Sequence, residues 1–176
     1  MARIKLAELR QEITRYIGVP YFSNIHHLAA DNVLVGKGTA KEIALITVEL
    51  ANLENIKLLE LSPQQIYDFQ KKHGLGIDCS GLACQLLNFY QDAHLDVRKT
   101  SADMLTSPPL SKPISDIQTG DLIRQKNGYH VLFVIEKIGD KIIYVDSSHS
   151  GRGVHYGEIN LPEDQNKISQ GVFRLI

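Results

Sequence analysis

A chain of 176 residues, 43% of them hydrophobic, has the length of one ordinary domain and enough apolar side chains for a single substantial core. Lys and Arg number 19 against 20 Asp and Glu, a formal net charge of -1 with no long block of one sign, so neither nucleic acid nor an anionic membrane surface is implied as a partner. No run approaches the length of a membrane span, and the opening residues MARIKLAELRQEITRYIG carry charges throughout, unlike the apolar stretch of a signal peptide; the expectation is a cytoplasmic protein, or one exported by a signal-independent route.

Residues 4–17 read as a helix with Ile4, Leu6, Leu9, Ile13 and Ile17 on one stripe, ended by Gly18 with Pro20 beyond. A second helix fits 39–54, where KEIALITVELANL is apolar enough to be largely buried. The third has a clean start, with Ser62 as N-cap, Pro63 at N1 and Gln65 at N3 in a capping-box pattern. Gly74 and Gly76 break it. A fourth runs from about Cys79 to about Asp92. After a loop rich in Ser and Pro at 106–120 the texture changes to strands: DLIRQK, Asn127-Gly128 as a tight-turn signal, YHVLFVIEKI, Gly139-Asp140, KIIYVD, GVHYGEI and GVFRLI. Helices first and antiparallel strands after imply an α+β fold, taken as one domain over 1–176.

The stretch GIDCSGLACQLLNFY, residues 76–90, carries the first chemical signal. Cys79 stands at the first turn of a helix, where unpaired backbone N–H groups and a partial positive charge favour a thiolate and could receive an oxyanion. Gly81 removes a side chain where a substrate backbone would need to approach. Asp78 opposes the thiolate electrostatically, so its presence needs another reason, either capping the helix or holding a substrate amine. Cys84 lies about 140° further round the helix, too far to bond easily with Cys79, and reads as a small core residue. Taken alone, a helix-start cysteine is more often packing than a nucleophile.

A cysteine nucleophile needs a base, and its base an orienter. Among the histidines, His26 and His27 fall in a loop, while His73 and His94 close helical stretches, where a cation suits the helix dipole. His130 differs, standing just after a turn at the start of the most apolar strand. From another class comes a zinc site: Asp146, His149 and His155 lie within ten residues, with His26 and His27 as further ligands, although the spacing matches no established ligand pattern. Arg98, Lys99, Arg124 and Arg152 could hold substrate carboxylates, and read more simply as surface charges.

These residues resemble the NlpC/P60 family of papain-like cysteine peptidases. The matching pieces are IGVPY (17–21), IDCSGLACQLLNFY (77–90), TGDLI (119–123), HVLFVIEKIGDKIIYVDSS (130–148) and a closing strand, about the last hundred residues plus a short amino-terminal anchor. The resemblance implies a papain-like fold, with N-terminal helices packed on an antiparallel sheet and the nucleophile at a helix N-terminus. It implies a bacterial cell-wall endopeptidase or amidase that needs no cofactor or metal and cuts peptidoglycan stem peptides between D-glutamate and a diamino acid. Cys79 and His130 would be nucleophile and base, with Tyr21, Asp78 and Ser80 on the oxyanion and substrate side. An acyltransferase or deamidase on the same scaffold would share the first half-reaction, and a silent binding domain would share only the fold.

Two features depart from the family pattern. A helical insertion at about 22–75 separates Tyr21 from Cys79 and would wall part of the groove. The orienter is the other, since YVDSSHS (144–150) offers both Asp146 and His149. A two-residue turn at Gly139-Asp140 would set His130 opposite His149, whereas a three-residue loop Lys137-Ile138-Gly139 would set it opposite Asp146. Asp146 is the expected third residue, because YVDSS fits the family's pattern and a carboxylate holds an imidazolium well.

Overall fold

The computed structural model describes residues 2–23 and 35–176; His26 and His27 lie outside them. Helix α1 (Ala2–Thr14) buries Leu9 and Ile13, one turn apart, against α4 (Cys79–Gln91). It ends at Thr14 rather than residue 17. The N–H groups of Arg15 and Tyr16 reach back only three residues, to Glu12 and Ile13. That tightening leaves Tyr16 1% exposed and puts Ile17, expected on the apolar stripe, at 41%.

Helix α2 (Ala40–Leu53) opens with a capping box: Thr39 Oγ1 accepts from Glu42 N and Glu42 Oε2 accepts from Thr39 N. The expectation that this helix is largely buried is corrected. Ala40, Ile43, Thr47 and Ala51 are buried, while Leu45, Val48 and Leu53 are exposed, because a helix lying on a core buries one stripe however apolar its other face is. Helix α3 (Pro63–Lys72) forms with the Ser62–Gln65 capping box and ends at Gly74, φ +67°. Gly76 is not part of that break. It belongs to β2 (Gly76–Ile77), which pairs in parallel with β1 (Val35–Gly36), and a side chain on it would meet the Pro20 carbonyl and Phe22.

The expected loop at 106–120 contains a strand. After the short α5 (Ala102–Leu105), β3 (Ser111–Ile114) is an edge strand, the one place in a sheet that tolerates a proline such as Pro113. With β4 (Leu122–Gln125), β5 (His130–Ile138), β6 (Lys141–Ser148), β7 (Gly153–Asn160) and β8 (Val172–Leu175) it forms a six-stranded sheet in the order β3-β8-β4-β5-β6-β7. Every pairing in it is antiparallel, so the molecule is α+β. Val131, Phe133 and Ile135 of β5 share a buried cluster with Leu82, Leu86 and Leu87 of α4. Leu132 and Val134 share a second one with Ile117, Ile142 and Ile159. Burial on both faces accounts for the unbroken apolar run of this strand. No helix among the described residues is long and apolar enough to cross a membrane.

Of the two hairpin registers considered from sequence, the two-residue-turn register forms next to the turn but does not hold to the strand start. Ile138 pairs with Lys141, so Gly139-Asp140 is the two-residue turn, the alternative that would have brought His149 to His130. Between Val134 and Glu136 the register shifts: Glu136 pairs with Ile143, but Val134 pairs with Tyr144 and Phe133 with Val145. Ile135 is thus the extra residue of a β-bulge. Continued towards the strand start, that offset sets Asp146 beside Leu132, diagonal to His130 and on its face, a separation that long side chains bridge.

Candidate active site

Three pieces of chain meet at the start of α4. Asp78 is its N-cap, with the carboxylate Oδ1 accepting from Gly81 N at 2.6 Å. Ile77 N donates to Pro20 O and Asp78 N to Gly36 O, so the approach to Cys79 is clamped between the 20–22 segment and β1. From the sheet side, Ser147 Oγ donates to Ile77 O at 2.6 Å, which ties the same turn to the strand that carries Asp146.

Cys79 is a free thiol, 7% exposed, with Sγ 3.9 Å from the Tyr129 carbonyl oxygen. His130 is also 7% exposed and lies close enough to the Cys79 side chain for the thiol to act on its titration. On its other flank, His130 Nε2 lies 2.8 Å from Asp146 Oδ2, which leaves Nδ1 as the ring nitrogen for the thiol. Burial alone would lower the pKa of His130, but the hydrogen bond to Asp146 and the influence of Cys79 outweigh it and raise the value from 6.5 to about 9. A cationic imidazole is thereby favoured in the folded chain. Cys84 is different: it is fully buried in the core, and burial pushes its thiol up to about 12, as suits a packing residue.

Asp146 is 4% exposed. Its second oxygen, Oδ1, is 3.2 Å from His155 Nε2, within ion-pair distance but off the line that a hydrogen bond requires. His155 pairs directly across β6–β7 with Asp146; the sequence offers it only as a zinc ligand. His149 sits exposed in the turn after β6. Among the described residues, no group of three or more His, Cys, Asp or Glu side chains converges to hold a metal ion.

Tyr21 is half-buried and bridges to Ile77. Burial raises its pKa, against a hydrogen bond with Ser23 that lowers it, with smaller raising effects from Cys79 and Asp78. Asp78 and Ser80 are both buried, and the amine they hold belongs to the chain itself: Lys37 Nζ donates to Asp78 Oδ1 at 3.0 Å and to Ser80 Oγ at 2.6 Å. Gly81 is also reassigned. A Cβ there would overlap the Gly36 carbonyl oxygen, so the glycine admits β1 rather than a substrate backbone. Of the basic residues, Arg124 is bound to Asp103 and Thr106 and Lys99 pairs with Asp96. Arg152 donates to Gln64 and lies 5.9 Å from the Tyr67 ring centroid.

Lys37 and Ser147 are the participants that sequence reasoning missed. Ser147 lies within the matched YVDSS run and carries no separate signal. Lys37 stands between Gly36 and Gly38 in GKG, a hint of close backbone packing but not of a buried ammonium. No family model, curated protein or solved structure matches the chain.

Proposed function

We propose that the protein is a papain-like cysteine hydrolase that cleaves an amide bond in bacterial peptidoglycan stem peptides. The observation that carries the reading is the buried His130–Asp146 hydrogen bond at 2.8 Å beside the helix-start thiol of Cys79, whose Sγ lies 3.9 Å from the carbonyl of the residue just before His130. The choice of substrate rests on the resemblance carried by the DCSG, GDL and HV segments. In the reaction the Cys79 thiolate attacks the amide carbonyl, and the oxyanion is received by the backbone N–H of Cys79 with Tyr21 beside it. The imidazolium of His130 gives its proton to the departing amine as the C–N bond breaks. A water then attacks the thioester while His130 takes its proton, and the acid and the thiolate are released. Asp146 holds the ring in one tautomer and balances its charge.

Incubation with purified muropeptides, read by mass spectrometry, tests the proposal. The expected result is one cleaved amide per stem peptide with the native chain and none with Cys79→Ala, whose circular dichroism spectrum stays native because alanine suits an early helical position. Undiminished cleavage by that variant would sink the nucleophile assignment. A product joined to an added amine instead of water's oxygen would move the assignment to acyl transfer.

A further inference from the structure

Lysine is almost never fully buried unless paired, yet Lys37 is 7% exposed, directly behind the start of α4. Its ammonium has three donors and three acceptors around it: Asp78 Oδ1 at 3.0 Å, Ser80 Oγ at 2.6 Å and Thr100 O at 3.5 Å. Its backbone is held as well, since Gln85 Nε2 of α4 donates to Lys37 O and the neighbouring Gly36 O accepts from Asp78 N. Ser80 Oγ in turn donates to Asp78 Oδ1 at 2.9 Å. The result is a closed cradle on the two residues that flank Cys79.

A cap alone does not require this lysine. Asn caps a helix about as well as Asp and brings no charge, whereas Asp78 puts a buried carboxylate one residue before the thiol, and in a water-poor setting a neighbouring anion opposes a thiolate strongly. The charge of Lys37 is felt along α4: at Cys84, where burial dominates, Lys37 pulls the thiol in the opposite direction.

We propose that Lys37 is a positioning residue of the active site, a buried counter-charge that cancels Asp78 and so keeps Cys79 in its nucleophilic form. The inference rests on Cys79 being the reactive thiol of the proposed hydrolase. It also gives the segment between Tyr21 and Cys79 a chemical role, because that segment supplies the residue.

Iodoacetamide alkylation of the full chain tests this without any substrate, with the modified cysteine identified by mass spectrometry and rates taken on the rising limb of the pH–rate profile. Lys37→Met should slow Cys79 by roughly fivefold to tenfold, since the Asp78 charge then acts alone. Asp78→Asn, which keeps a capping oxygen and leaves Lys37 uncompensated, should be faster than wild type. The double variant, with neither charge, should lie near wild type. Should Lys37→Met fail to fold, Asp78→Asn against the double variant still decides, as the two differ only in the Lys37 charge. Equal rates in that pair, or rates that fall in parallel with melting temperature in all three variants, would overturn the proposal. A wild-type Cys79 that reacts no faster than a free thiol at every pH would remove the nucleophile itself, a separate failure visible before any variant is made.

Discussion

Asp146 faces two histidines, and the asymmetry between them defines its role. Oδ2 is in hydrogen-bond contact with buried His130, while Oδ1 only approaches the partly exposed His155. Asp146→Asn keeps the size of the side chain but removes its charge and can turn an N–H₂ group towards His130 Nε2, which would select the wrong tautomer. Turnover is expected to fall by about 10²-fold to 10⁴-fold. Substrate KM should change far less, since Asp146 does not reach the substrate in the proposed reaction. His149→Ala, at an exposed turn position, should leave turnover within about twofold. Steady-state kinetics on one muropeptide would compare the two, and a larger loss at His149 than at Asp146 would reverse the assignment of the third residue.

Local chain signals make several elements legible. The Ser62-Pro63-Gln65 start of α3 and the start of α4 behind its Asp78 cap are written in side chains that act on their own backbone. The bulge at Ile135 is not, because a one-residue shift at the end of the apolar run 131–135 leaves no mark on composition. Sequence therefore reaches Asp146 through a turn that does not form, and the contact with His130 comes from a different register. Gly81 misleads for a related reason: its neighbour is Gly36, 45 positions earlier in the chain, and only the β1–β2 pairing brings them together. Gly81→Ala would drive a methyl group into the Gly36 carbonyl oxygen, next to the Asp78 carboxylate. The variant should lose about 1–3 kcal/mol, as overpacked sites do, and should lose turnover too, because β1 carries the chain into Lys37. Chemical denaturation and muropeptide cleavage would measure both; a fully stable, fully active Gly81→Ala would mean that β1 can move away from α4 at no cost.

At the scale of the molecule, the site lies where the helical layer meets the ends of β5 and β6, so its charges are coupled to folding. His130 titrates near 6.5 when unfolded and at about 9 when folded; a raised pKa in a base means that the stabilisation is complete below pH 6.5 and is lost as pH rises through 9. With the ring 7% exposed, that loss is expected to be on the order of 1–3 kcal/mol. A second window follows at higher pH. Burial pushes Cys84 from 9.0 and Tyr16 from 10.0 to about 12, and an acid kept neutral by folding withdraws its stabilisation as pH climbs above its unfolded value. Thermal melts from pH 6 to 11 should therefore show two successive declines. Asp146→Asn should shrink the lower one, between 6.5 and 9, because it removes the largest of the interactions that raise His130, and leave the upper one in place. Cys84→Ala should lower the melting temperature at every pH by removing a packed thiol, yet reduce only the decline above pH 9, leaving the part that Tyr16 contributes. A wild-type curve that stays level from 6.5 to 9 would mean that His130 is not held as a cation in the folded chain, and the thiolate–imidazolium pair of the proposed reaction would fall with it.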